Sequence, residues 1–214
     1  MKLKEGNRFY GFIKVWKRFR NGLFLFSLRN FLTRFGLDIA PYYWFKEEKN
    51  NGEPPKIKEG LENYTIALIP PSEVSVMDGV MGLSTSFLIK NMERGQVCIG
   101  LRVADRIATL LFIDPNDFTF KHRNFHIEDG SGYLLNLYTF EDYRGNNLAA
   151  YLRYNCYDVL KHLNITTIYS ITSYFNRSSI RVNEKINAKK LKLYLHIGLF
   201  KKWHWNFLLK DYER

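Results

Sequence analysis

Residues 133–152 read Tyr-Leu-Leu-Asn-Leu-Tyr-Thr-Phe-Glu-Asp-Tyr-Arg-Gly-Asn-Asn-Leu-Ala-Ala-Tyr-Leu: an apolar strand, a short turn, and the opening of an amphipathic helix. The helix is expected over 147–163, where Leu148, Leu152, Cys156, Val159, Leu160 and Leu163 recur at steps of three and four. A β-branched strand at 166–173 and a short helix at 178–186 repeat the order strand, then helix. Around them lie strand-like runs at 64–69, 96–103 and 106–114, the last two joined by the hairpin signal Ala104-Asp105. Residues 73–92 have helical character, interrupted near Gly79 and Gly82, and 121–131 reads as a polar, histidine-bearing loop. Two alternating runs, 191–200 and 203–209, close the chain. The expected fold class is α/β (α+β), with helices packed on one twisted central sheet.

Composition adds limits. Of 214 residues, 46% are apolar and 25% charged, which excludes wholesale disorder. The net charge of +11 is uneven: residues 1–35 hold nine Lys and Arg against the single acid Glu5. Residues 1–46 are basic and aromatic, and place Leu23, Leu28, Phe31, Leu32 and Phe35 on one side at helical spacing. The polar, proline-bearing stretch 46–59 reads as a linker. The expected division is an N-terminal extension and linker over 1–60 and a mixed domain over 61–214. Cys98 and Cys156 fit neither a disulfide framework nor a metal-ligand spacing and are expected to be small buried apolar residues, so no metal site is expected. No run approaches the 18–20 apolar residues of a membrane span, and no signal-peptide cleavage pattern follows the basic start. A cytoplasmic protein is expected.

The basic extension has three readings. It packs on the main domain or a second copy, giving a homodimer. It lies on the anionic inner face of a membrane through 1–35. Or it binds nucleic-acid phosphates, the least favoured reading because the Arg/Lys-Gly-aromatic signature of an RNA-binding sheet is missing. The aromatic run Pro41–Phe45 reads as an anchor or a lid over an acceptor site.

The turn at 144–149 carries the chemistry. The first amides of a helix lack internal partners and the helix dipole adds positive charge there. Gly145 lets a ligand approach the backbone, and Arg144 supplies a permanent charge, a pattern suited to a diphosphate or other anion. Alternatively Gly145 serves only the turn and Arg144 is a solvated surface charge.

Together with the second unit, in which a strand ends at Asn176 and a helix follows Ser178, the pattern resembles the GNAT superfamily of acyl-CoA-dependent N-acyltransferases. The resemblance covers about 62–209. Arg144, Gly145, Leu148 and Ala149 match the family's Arg-Gly-x-Gly-x-Gly/Ala turn, while Asn147 stands where glycine is usual. Asparagine tolerates positive φ better than most residues. The resemblance implies a mixed, mostly antiparallel sheet with flanking helices and two central strands splayed at a bulge. It implies that the pantetheine arm of acetyl-CoA lies along Leu137, Tyr138 and Thr139. The pyrophosphate would rest on the amides of Arg144, Gly145, Asn146, Asn147, Leu148 and Ala149, with Asn176 and Ser179 completing the cofactor site. It further implies direct attack of an amine on the thioester.

Three family positions depart from the pattern. The usual tyrosine acid falls on Asn183, the usual Gly-Phe pair on Asn187-Ala188, and the acidic residue near the start of the preceding strand near Tyr133. Tyr174 is the substitute acid, and His126 or Glu128 the candidate base, His126 for its near-neutral pKa. The alternation of Trp203, Trp205 and Phe207, and of Leu191, Leu193, Leu195 and Ile197, reads as strand faces packed on a core. The expected activity is acetyl transfer to an amine of a small molecule, an amino sugar or a nucleotide-linked substrate. An acyl-CoA-binding module without turnover is the alternative.

Overall fold

The computed structural model describes residues 24–49, 53–58 and 63–214. Among these residues the α-helices are α1 (Phe24–Arg34), α2 (Thr85–Met92), α3 (Leu148–Asn155), α4 (Tyr157–Leu160) and α5 (Arg177–Lys185). The strands are β1 (Leu37–Glu48), β2 (Tyr64–Leu68), β3 (Val97–Val103), β4 (Arg106–Asp114), β5 (Phe118–Phe120), β6 (Arg123–Phe125), β7 (Ser131–Thr139), β8 (Thr167–Ser173), β9 (Lys189–Leu199) and β10 (Trp203–Asp211). Eight strands form one sheet in the order β10-β9-β1-β8-β7-β4-β3-β2, and β5-β6 is a separate hairpin. The pairs β2–β3, β3–β4, β4–β7 and β9–β10 are antiparallel, whereas β7–β8 is parallel. The mixed, mostly antiparallel sheet with flanking helices is as the resemblance implied.

The chain divides into two compact units. One comprises Met1–Trp44, Thr172–Arg181 and Leu191–Arg214; the other comprises Phe45–Ile171 and Val182–Lys190. In the second unit, period-two alternation gives β3 and β4 two buried faces. Ile99, Leu111 and Ile113 face Leu148, Leu152, Cys156 and Leu160 of the α3–α4 region, and Cys98, Leu110 and Phe112 face Val74, Met77 and Leu88. Both cysteines are free and buried, and burial pushes the Cys98 thiol up to about 12. The segment 73–92 breaks as its glycines suggest, into 3-10 turns at Pro71–Met77 and Val80–Gly82 followed by α2. The Ser84 side chain caps α2 by accepting from Phe87 N.

Several elements differ from the sequence reading. Leu37–Glu48, assigned there to the extension and linker, is a strand of the main sheet in which Ala40, Tyr42, Trp44, Phe45 and Glu47 are buried. The Pro41–Phe45 run is therefore part of the sheet rather than a lid, and the Pro41 carbonyl accepts from Tyr174 N at 3.0 Å. The histidine-bearing loop contains the β5–β6 hairpin, whose turn residues Lys121 and His122 have positive φ. On β9 Leu191, Tyr194 and His196 are buried, while Leu193, Leu195 and Ile197 are half-buried. Trp203, Trp205 and Phe207 are exposed rather than core. Within α1, the stripe of Leu28 and Phe31, continued by Phe35, is exposed. The basic residues before Phe24 lie outside the described residues.

Candidate functional site

The β7–β8 ladder begins at Ser131↔Thr167 and ends at Leu134↔Ser170, although β7 runs on to Thr139 and β8 to Ser173. The cause lies on the other side of β7. Its pairing with β4 skips Leu135, since Ile113 faces Leu134 and Phe112 faces Asn136. One extra residue is a β-bulge, which bends a strand and ends pairing locally. Leu135 is accordingly exposed in the middle of the strand. The splay that the resemblance implied is present.

Beyond the bulge the ladder phase fixes which main-chain groups face outward. Phe140 N donates to Ala108 O. In an antiparallel pair, directly bonded residues alternate with unbonded ones, so Tyr138 and Asn136 bond to β4. The amides and carbonyls of Leu137 and Thr139 therefore point to the opposite edge. These are the positions assigned from the sequence to the pantetheine arm.

The strand then enters a turn of unusual backbone. Gly145 has φ of 84° and Asn147 a left-handed φ of 66°, so Asn147 adopts the conformation that glycine would. A Cβ on Gly145 would meet nothing within 4 Å, which leaves this face of the turn open. Among the described residues the amides of Gly145, Asn146, Asn147, Leu148 and Ala149 donate to no backbone or side-chain acceptor, whereas Arg144 N donates to Glu141 O at 3.2 Å. The open amide row thus starts one residue later than the sequence reading placed it. The Arg144 guanidinium is half exposed and folds back on its own segment: Nε donates to Thr139 O at 3.0 Å, a second nitrogen meets Glu141 Oε1 at 3.0 Å, and a third donates to Tyr138 OH at 3.2 Å. Arg144 therefore braces the strand end and the turn.

Lysine-bearing segments also meet this turn. The segment 53–58, read from sequence as linker, lies along this turn: Lys58 N donates to Asn146 O at 3.4 Å, and Asn147 Nδ2 donates to Lys56 O at 2.8 Å. Ile57 packs on the α3–α4 core, which fixes the strap, while Lys56 and Lys58 are exposed. Lys185 Nζ donates to Asn147 Oδ1 at 2.5 Å. Sequence showed only a proline-bearing polar stretch here; Ile57 between two lysines was the available signal.

The remaining residues separate by place. Tyr174 directly follows β8; it is exposed, stacked on Tyr43 with centroids 5.5 Å apart, and edge-on to Phe175. Asn176 caps α5, its Oδ1 accepting from Ser178 Oγ at 2.9 Å and Ser179 N at 3.2 Å. His126 and Glu128 precede Ser131, at the zipped end of β7. At about 3.3 Å per residue the length of β7 separates them from the turn, so the structure does not bring them to it. His126 Nδ1 instead lies 3.0 Å from both carboxylate oxygens of Asp117, which raises its pKa. Glu128 accepts from Tyr169 OH at 3.3 Å. Asn183 is fully buried and accepts from Arg153 at 2.6 Å; Arg153 also binds buried Glu47, which Tyr157 OH approaches at 3.2 Å. The position aligned with the family's acid is thus part of a buried polar cluster.

No family model matches the sequence, and no curated protein matches it. Solved structures do. A GCN5-related N-acetyltransferase from Sphaerobacter thermophilus superposes with a TM-score of 0.52 at 10% identity, over 86% of this chain and 57% of its own. One from Kribbella flavida gives 0.50 at 12% identity, over 78% of this chain and 62% of its own. A GCN5-related glucosamine N-acetyltransferase region of a fungal multi-domain GH3 β-N-acetylglucosaminidase gives 0.53 at 16% identity, over 84% of this chain and 22% of its own. This chain therefore spans less than two thirds of the length of each. At these identities the likeness establishes the fold: this is a GNAT fold.

Proposed function

From that fold we propose that this protein is an acyl-CoA-dependent N-acyltransferase, using acetyl-CoA as donor and a small-molecule amine as acceptor. The observation that carries the proposal is the continuity between two features of one segment. The strand edge freed at Leu135 leads directly into a turn whose amides from Gly145 to Ala149 are open. The thioester arm is assigned to main-chain groups of Leu137 and Thr139, and the pyrophosphate to the amide row, where the start of α3 adds positive potential.

In the reaction the neutral amine attacks the thioester carbonyl, the C–N bond forms and the C–S bond breaks. The amine proton passes to solvent and the CoA thiolate takes a proton. Tyr174, at the end of β8, is the proposed donor of that proton. His126 and Glu128 stand away from the turn and are left out of the chemistry. An amino sugar is the proposed acceptor class, by analogy with the fungal glucosamine N-acetyltransferase region.

The test is a thiol-release assay with acetyl-CoA over a panel of amines that includes glucosamine. Release that depends on the amine and falls in Tyr174→Phe supports the reading. The burial of Asn183 favours one alternative, a module that binds acyl-CoA without turnover. Binding of acetyl-CoA with no release for any amine would establish it instead.

A further inference from the structure

The positive charge of this protein belongs to one of its two units. Residues 1–44, 172–181 and 191–214 contain sixteen Lys and Arg against four Asp and Glu, whereas 45–171 and 182–190 contain sixteen against seventeen. No acid occurs from Phe24 to Leu37 or from Leu191 to Lys210. The sequence alone had assigned the surplus to the N-terminus; the fold adds the C-terminal hairpin to it.

The same two stretches display large apolar side chains. Phe31 and Phe35 meet with centroids 4.9 Å apart and are 54% and 66% exposed. Phe200, in the β9–β10 turn, is 63% exposed, donates its amide to Gly36 O at 2.6 Å and lies against Gly36. The end of α1 and the hairpin turn are therefore one surface, and Arg34 and Lys201 share the lining of the recess between them. Trp203, Trp205 and Phe207 continue along the edge strand β10, each close to half exposed. An exposed apolar patch of this extent marks a contact surface.

The turn itself has an uncommon backbone. Phe200 and Lys201 both have positive φ, 51° and 57°, where Asn and Gly are favoured. The chain thus holds an aromatic ring and a cation at positions that neither suits, and Lys202 follows with its Nζ 5.4 Å from the Trp203 ring.

We propose that this face docks on an anionic lipid surface, with Phe35, Phe200 and Trp203 at the headgroup boundary and Arg34, Lys201 and Lys202 on lipid phosphates. Charge complementarity selects this occupant. A second copy would set Arg34, Lys201 and Lys202, which form no ion pair among the described residues, against their own counterparts, and a nucleic acid would leave Leu28, Leu208 and Leu209 exposed to water. The contact is peripheral: among the described residues no helix is long and apolar enough to cross a membrane. The inference is independent of the acyl-transfer reading.

Co-sedimentation of the full chain with vesicles tests it. The protein is expected to pellet with phosphatidylcholine–phosphatidylglycerol vesicles, less so as salt rises, and not with phosphatidylcholine alone. Phe200→Asn with Lys201→Gly suits the turn backbone and is expected to weaken binding about tenfold or more, as is Lys201→Glu with Lys202→Glu, both judged folded by circular dichroism. Absence of anionic-vesicle binding, equal binding to neutral vesicles, or unchanged binding in both variants overturns the proposal. So does displacement from vesicles by a single-stranded oligonucleotide at equal charge, or a stable dimer that Trp205→Lys dissolves.

Discussion

Lys185 Nζ donates to Asn147 Oδ1, so the last turn of α5 holds the residue that begins α3. The other end of the same amide donates to Lys56 O. Asn147 thus combines a left-handed backbone with two tethers, a combination glycine cannot supply. Asn147→Gly keeps the backbone conformation and loses the tethers; Asn147→Ala loses both. Urea unfolding should find the alanine variant less stable than the glycine variant by about 1 kcal/mol. Equal stabilities would mean that the positive φ is not what Asn147 provides.

The strap lysines are assigned to ligand charge. Lys56→Ala with Lys58→Ala keeps the backbone bonds to Asn146 and Asn147, so the fold should hold. The affinity for acetyl-CoA is expected to fall about two- to tenfold, an effect that shrinks with added salt. Binding of acetyl-pantetheine, which carries no phosphate, should be unchanged; a parallel loss there would place the lysines elsewhere.

Glu47 and Arg153 form a buried ion pair to which Tyr157 and Asn183 also bond. Burial pushes the Glu47 carboxyl up, while Arg153 and Tyr157 pull it back. Arg153→Met strands a buried carboxylate and should cost about 3–5 kcal/mol, and Glu47→Leu in that background should recover most of it. The single variant has a signed pH dependence. With Arg153 gone the folded-state pKa rises further above the unfolded value, so the folded state holds the extra proton. Stability is then highest below the ordinary carboxylate range and declines as pH rises through the folded pKa. Stability of Arg153→Met that is flat with pH would contradict this arrangement.

His126 titrates as a surface partner of Asp117. The hydrogen bond to Asp117 raises its pKa, so any stabilisation is present below the unfolded value and lost as pH rises through the folded one. An NMR titration should find its midpoint above that of an ordinary histidine and returned toward it in Asp117→Asn. Because His126 stands at the zipped end of β7, His126→Gln should leave thiol release unchanged; a large fall in kcat would reinstate it as the base.

The middle of the sheet was legible because its signals are local. The apolar runs 96–103 and 106–114 with their hairpin signal, the three- and four-residue steps from Leu148 to Leu160, and the Arg144-Gly145 turn identify their elements one at a time. β1 was not legible: Pro41 and four consecutive aromatics from Tyr42 to Phe45 mask the alternation, and only sheet pairing makes the stretch a strand. The turn was found, yet the partners of Arg144 were not, since only coordinates show its guanidinium folded onto Thr139, Glu141 and Tyr138. His126 and Glu128 precede β7 and the turn follows it, so the length of one strand separates them, a distance the sequence reading had not weighed. The charge of Lys185 reaches Asn147 from 38 residues away, beyond any local pattern.

Calorimetric titration of acetyl-CoA into the protein and into Gly145→Val tests the central claim most directly. Gly145 has a positive φ and open space in front of it, so a side chain there obstructs the amide row. One-site binding that weakens at least about tenfold in the variant, with its fold intact by circular dichroism, is the expected result. No binding to the unaltered protein, or the same affinity in both, would contradict the assignment of this turn to a diphosphate.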